Sequence, residues 1–469
     1  MAERIARVAF LRGDPPWPDR VVMYHQIVAE RANFRLALAY SAQHGQADQG
    51  LRLCVALSGY WLASGDVTEG ADWVDQFLVL AGERYPGLRA RALALRSELA
   101  FEKEDYAGAT RFAAECLELS LASGDGNPAS ALRMQAFTML MTGQAREALS
   151  YADEAIAAAR QMGDAWEEGV ALSARAAVLA GLGETDQAQD AFTKALESLD
   201  GNNRWGVANV LYGLGKLARA RGDTPGALRY FSDALAIYGE IDARPEMARC
   251  LGAIGLVALS QPDLVTARAS LARSVRLSLA TGQRLGVARG LAALAALAVA
   301  EGDTRRAVRV AGAALGLFQV IGGPQADTAI SRLRQLLDAA ARQLGRQQAA
   351  ALAAAGRALN SRQAVALAIG DAPQAAGPPP AARVNGTAFH ALPHGSQPAD
   401  HEVAWPGPLT EREREVAKLV AKGLSNRDIG IELFISSATA ARHVANIFSK
   451  LGFSSRSQVI AWVLRSGEA

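Results

Sequence analysis

The residues of this chain best suited to chemistry lie near its end, on a helix predicted to follow Ser436 and Ser437. At about 100° per residue, Ala440, Val444, Ile447 and Leu451 fall within a narrow arc, and the opposite side carries Ala438, Arg442, Ala445 and Ser449. The outer stripe suits the major groove of DNA. Its small side chains permit close approach, a guanidinium can donate two hydrogen bonds to guanine O6 and N7, and an alanine can touch a thymine methyl. The competing reading is an ordinary solvated helix face. Against it, Leu409 to Ala469 holds nine Lys and Arg and six Asp and Glu, in a chain whose 49 basic and 47 acidic residues leave a net charge of only +2. The positive excess is concentrated beside the stripe, as a local surface for nucleic acid requires.

Other chemistry is sparse. Cys54, Cys116 and Cys250 are far apart, odd in number and set in apolar helical patterns, so they are expected to be reduced core thiols of a cytoplasmic protein. His390, His394 and His401 have neither Cys nor a packed scaffold around them, which leaves no metal site. His25 and His44 lack a nucleophile partner. No Gly-x-x-x-x-Gly-Lys-Ser/Thr occurs; Gly213-Leu-Gly-Lys216 lacks both the spacing and the hydroxyl, and reads as packing inside a helix. The expectation is no enzyme, no cofactor and no ATP-driven switch. Met1 to Phe10 carries Glu3, Arg4 and Arg7 without an apolar core, so no secretory signal is expected. Nor is a membrane span: Gly290 to Ala300 is apolar but bounded by Arg289 and Glu301.

Four short helices must position the stripe. Thr410-Glu411-Arg412-Glu413 is a capping box opening the first, whose apolar face is Val416, Leu419 and Val420. Ser425-Asn426-Arg427-Asp428 opens a second with Ile429 and Leu433. Ser436 or Ser437 caps the third, and Ser455-Arg456-Ser457-Gln458 the fourth. The second runs through Phe434-Ile435 directly into the third, the geometry of a helix-turn-helix.

Upstream, a repeat of about 40 residues dominates. Asp66, Asp105, Gln144, Glu184, Asp223, Asp263 and Asp303 follow at intervals of 39 or 40, and four positions after each stands Gly70, Ala109, Ala148, Ala188, Ala227, Ala267 or Ala307. A small residue at one fixed place in every unit is what close helix approach requires. Each unit reads helix, Gly-containing turn, helix, as in Trp205 to Ala220, Arg221-Gly222-Asp223-Thr224 and Pro225 to Tyr238. Seven hairpins are implied, resembling the tetratricopeptide (TPR) class with a concave face for a protein or small-molecule effector. Tyr60, Trp61, Trp73, Trp166, Trp205, Tyr212, Tyr230 and Tyr238 could line that face, though most are expected to pack between helices. The fold class is therefore all-α: a helical-hairpin, TPR-like solenoid joined by a Pro/Ala/Gly-rich linker to a four-helix helix-turn-helix domain. The boundaries are 1–48 for a capping helix region, 49–323 for the repeats, 324–370 for closing helices, 371–408 for a flexible linker with eight of the 17 prolines, and 409–469 for the terminal domain.

That terminal domain resembles the LuxR-type helix-turn-helix over its whole length. The resemblance rests on Leu409-Thr-Glu-Arg-Glu-Arg-Glu-Val416, Gly423-Leu-Ser-Asn426, Ile429, Leu433, Ile435-Ser436, Thr439, His443, Ile447 and Lys450-Leu451-Gly452. It implies that the third helix enters the major groove of double-stranded DNA, with Arg442 reading a base and Asn426, Arg427, Ser436 and Lys450 on phosphates. Ser425, Ser437, Thr439, His443 and Asn446 complete the implied DNA-facing set. It also implies homodimerisation on DNA through the fourth helix, with Val459, Trp462 and Val463 as contacts, and RNA polymerase as a further partner. Where many members have Lys, Thr-Val and Lys, this chain has Ala438, Thr439-Ala440 and Ala441. Fewer cations mean fewer neutralised phosphates and weaker monomer binding, which linked copies would offset. As a whole the chain resembles the large LuxR regulators with helical repeats, without the nucleotide-binding domain found upstream in many of them. The rivals are an interaction scaffold whose terminal module serves mainly to dimerise, and an ATP-dependent regulator whose nucleotide domain another chain supplies.

Overall fold

The computed structural model describes residues 16–124, 127–199, 204–322, 324–370 and 409–421, and individually 429, 433, 443, 444, 446, 447, 450, 451 and 463. Among the described residues every regular element is a helix, and none is long and apolar enough to cross a membrane. The proline-rich stretch 371–408, expected to be a linker, lies outside them.

A first helix, α1 (Trp17–Gln43), buries Ile27, Phe34 and Leu38. The first hairpin has a first arm broken at Leu57 into α2 (Ala47–Ala56) and α3 (Ser58–Ser64), returning through α4 (Val67–Ala81). Six unbroken hairpins follow: α5 (Pro86–Glu102) with α6 (Tyr106–Ser123), α7 (Pro128–Met141) with α8 (Ala145–Met162), α9 (Ala165–Leu182) with α10 (Thr185–Ser198), α11 (Arg204–Ala220) with α12 (Thr224–Glu240), α13 (Arg244–Ser260) with α14 (Leu264–Ala280), and α15 (Arg284–Ala300) with α16 (Thr304–Ile321). Then come α17 (Pro324–Leu344), α18 (Arg346–Arg357) and α19 (Ser361–Ile369).

All seven repeat-marking residues are N-caps of the second helices. Asp105, Asp223, Asp263 and Asp303 accept from the amides of Gly108, Gly226, Thr266 and Arg306 at 2.9 to 3.0 Å, satisfying donors that a helix start leaves unpaired. Asp66 departs from this pattern, since its carboxylate accepts from the Tyr60 hydroxyl at 2.8 Å. Gln144 and Glu184 make no side-chain cap bond.

The small residue four places on is buried every time: the six alanines are 0% exposed, and a Cβ on Gly70 would come within 2.7 Å of the Trp61 ring. A small residue buried at the same place in every repeat fits a close helix crossing there. The array is closed by a tighter crossing: a Cβ on Gly312 of α16 would fall on the carbonyl of Ala353, and one on Gly356 of α18's C-terminal turn on the carbonyl of Arg309.

The hairpins wind back on themselves. Trp17 Nε1 donates to Glu240 Oε2 at 2.5 Å, and Arg204 Nη2 meets the other oxygen of Glu240 at 2.5 Å. One buried cluster joins α1 to α4 with side chains such as Trp205, Tyr238 and Met247. At the turn before α6 the residue preceding the cap is Glu104, with φ of 65°, where five other repeats place glycine at the same step. A non-glycine residue there is strained. Its carboxylate accepts from the amide of Leu285 in the first turn of α15 at 2.5 Å, so the strained turn caps a helix 181 residues away.

Candidate nucleic-acid interface

In the C-terminal unit, α20 (Glu411–Ala421) begins as its sequence requires. The Thr410 amide and hydroxyl donate to Glu413 Oε2 at 2.8 and 2.9 Å, and the Glu413 amide donates to Thr410 Oγ1 at 3.3 Å. This reciprocal box satisfies two donors at the helix start. Val416, Ala417 and Val420 are then turned inward, against Leu409, Ile429, Val444, Ile447, Leu451 and Val463. Arg412 fixes a loop carbonyl, donating to Leu433 O at 2.8 Å.

Val444, Ile447 and Leu451 are helical and buried at 7%, 0% and 5% exposure, while Asn446 is exposed and His443 half-buried. Three of the four inward residues read from the periodicity are therefore buried, Ala440 lying outside the described residues, and Asn446 stands away from them. Lys450, a phosphate contact by resemblance, donates to Glu413 Oε2 at 2.7 Å. Its side chain keeps 38% of its surface exposed, against 5% for Glu413. An ammonium has three donors, so two N–H groups are not taken up by this bond. The Glu413 carboxyl lies below its ordinary range: burial alone would raise it, and Lys450 together with the Thr410 amide and hydroxyl more than reverses that.

Val463, expected at a dimer contact, is 1% exposed within the core of the same unit. That corrects its assignment, because a side chain already surrounded by its own chain offers no face to a second copy. The signal was available in principle: a module this small must fill its own core before it can display apolar side chains. Ser425, Asn426, Arg427, Ser436, Ser437, Thr439, Arg442, Val459 and Trp462 lie outside the described residues.

Among the described residues no group of three or more His, Cys, Asp or Glu could hold a metal. The three cysteines are buried, and burial raises each thiol's pKa, away from reactivity. Gly213 and Gly215 face Phe192 and Phe231 within helix packing. Of the aromatics proposed for a groove, Tyr60, Trp61, Trp205 and Tyr238 are buried; Trp73, Trp166, Tyr212 and Tyr230 are half-buried.

Residues 407–463 match the luxR family of bacterial regulatory proteins, and residues 167–240 match the tetratricopeptide repeat. The spore germination protein GerE of Bacillus subtilis is 45% identical over 60 residues, which are 13% of this chain and 81% of GerE. An HTH-type transcriptional regulator of Mycobacterium tuberculosis is 44% identical over 61 residues, 13% of this chain and only 7% of that regulator. Among solved structures, a Rap protein complexed with competence and sporulation factor has a TM-score of 0.48 and 14% identity, covering 69% of this chain and 86% of that one.

Proposed function

Since the chain belongs to the luxR family of bacterial regulatory proteins, we propose that it is a DNA-binding transcriptional regulator whose helical repeats sense an effector. The observation that carries this reading is the correspondence between residues 407–463 and the family, on a unit whose third-helix core arc of Val444, Ile447 and Leu451 leaves Asn446 exposed. In this reading Arg442 contacts guanine, and Asn426, Arg427, Ser436 and the spare donors of Lys450 hold phosphates. Ser425, Ser437, Thr439, His443 and Asn446 complete the surface. Dimerisation on DNA falls to Val459 and Trp462, and RNA polymerase is the partner through which a bound regulator acts. The protein works in the cytoplasm and catalyses no reaction. The repeats' share of the reading rests on their hairpin array, because solenoids present extended inner surfaces to ligands.

The test is selection of genomic DNA fragments by the full chain, with salt titration, beside Arg442→Ala. The expected result is salt-dependent binding whose sequence preference relaxes at one base position in the variant, at a cost of about 1 to 3 kcal/mol. DNA binding that is absent, or indifferent to Arg442, favours a scaffold built on the repeats.

A further inference from the structure

The first arms of the last three hairpins bury most of their faces in packing. Gly215 and Gly255 meet Phe231 and Leu271 of their own second arms, while Gly213 and Gly290 meet Phe192 and Val275 of the preceding ones. What remains exposed or half-exposed is a stripe at spacings of three and four: Tyr212, Lys216 and Arg219 on α11, Arg249 and Gly252 on α13, Arg289 and Ala292 on α15. This stripe faces the inside of the winding. The wall across it is the turn after α5, where Glu104 caps Leu285.

Four of these side chains are cations. Arg249 is held in place, its guanidinium 5.8 Å from the Tyr212 ring centroid and 3.2 Å from the buried Glu246. Gly252 and Ala292 keep the surface between the arginine positions open. The charged groups that act on Lys216 are Arg289, Arg219 and Arg249, all of its own sign. Its ammonium is held below the usual lysine range, first by the protein mass crowded around it and then by those guanidiniums, although the side chain still reaches solvent. Glu102 and Glu104 oppose this charge from across the winding, acting on Arg249 and, for Glu104, lying near Arg284 and Arg289. Glu246 and Glu102 thus offset the charge of Arg249, whose pKa is raised, whereas the charges acting on Lys216 are all positive, and an anion beside that ammonium lowers its energy.

We propose that Lys216, Arg219, Arg249 and Arg289 form an anion-binding site inside the winding, which takes the carboxylate or phosphate groups of a small ligand. The proposal deepens the sensing reading above and rests on it. Tyr212 and the open floor at Gly252 and Ala292 suit a ligand with an apolar or planar body attached to the anionic group.

The full-length protein is titrated calorimetrically with pyrophosphate and, separately, citrate, each against sodium chloride of equal ionic strength, and melted with and without each anion. Wild type should bind one of them saturably and melt higher in its presence; whichever binds more tightly identifies phosphate or carboxylate as the chemistry. Lys216→Gln should weaken binding by about tenfold or more, as expected for a lost charge-assisted hydrogen bond, and should melt higher than wild type when empty because a like charge is gone. Lys194→Gln, on α10 away from the four cations and paired with Asp190, should bind as wild type does. Absence of saturable binding, or equal binding by wild type and Lys216→Gln, overturns the site and leaves sensing to an uncharged ligand. Binding that requires Lys216 but leaves DNA affinity unchanged upholds the site and defeats the sensing reading.

Discussion

Glu413 and Lys450 join the first and third helices of the C-terminal unit, 37 residues apart in sequence, and their worth can be measured apart from DNA. Glu413→Ala removes half of the capping box, about 1 kcal/mol. It also removes a charge-assisted bond that would bring about 2 kcal/mol if buried. With Lys450 38% exposed, solvent screening reduces that to about 1 kcal/mol. The single substitution should therefore cost about 2 kcal/mol, against roughly 3 to 9 kcal/mol of total stability for a module of about sixty residues. Lys450→Ala should cost about 1 kcal/mol. The two together should cost about 1 kcal/mol less than their sum, which is the coupling. Hydrogen exchange of the full chain, read by mass spectrometry on peptides covering residues 411–421, gives the opening free energy for each variant. Acid adds a second axis. Because the folded Glu413 carboxyl is depressed below its ordinary value of 4.5, its contribution is complete above that value and is lost as pH falls through the folded one. A coupling below about 0.3 kcal/mol, the usual limit of additivity, or protection indifferent to acid, would refute this account of how the third helix is held.

Gly312→Ala should destabilise the closing helices severely, because the obstacle to the new methyl is the Ala353 carbonyl and not a movable side chain; protease protection of residues 324–370 should fall while that of α5 to α8 persists. Arg133→Ala should cost about 3 to 5 kcal/mol in denaturant unfolding. It leaves Glu167, which is 0% exposed, without the guanidinium 3.4 Å away that also binds Glu98 at 2.8 Å; a cost under 1 kcal/mol would mean that Asn127, donating to Glu167 at 2.9 Å, suffices. Ala227→Leu should cost about 1 to 3 kcal/mol through overpacking, with a neutral melting temperature counting against the closest-approach role of that position.

The hairpins could be read from sequence because each is specified locally: a cap, a turn and a small residue recur within 40 positions, and each signal acts on its near neighbours. The capping box at Thr410 and Glu413 was legible for the same reason. What escaped depends on distant partners. Nothing beside Lys450 announces Glu413, and nothing around Glu104 explains a left-handed glutamate until Leu285 is placed against it. Val463 was misassigned because the likeness supplied a role for its helix without saying which side faces inward. Lys216 reads from the sequence as packing inside a helix, and its position on the inner wall follows only from how three hairpins stack.

The contacts of Glu104 with Leu285 and of Trp17 with Glu240 change what kind of object the solenoid is. An open array unravels from its ends, one repeat after another, because each unit touches only its neighbours. Here the first helix and the second hairpin are fastened to the fifth and seventh, so fraying at the amino end must release buried surface far along the chain. Folding must wait for loops of about two hundred residues to close, which slows it relative to a strictly local array. Once closed, the repeats melt together, and a strain imposed on α13 or α15 is felt at α1 and α5 without passing through the hairpins between them.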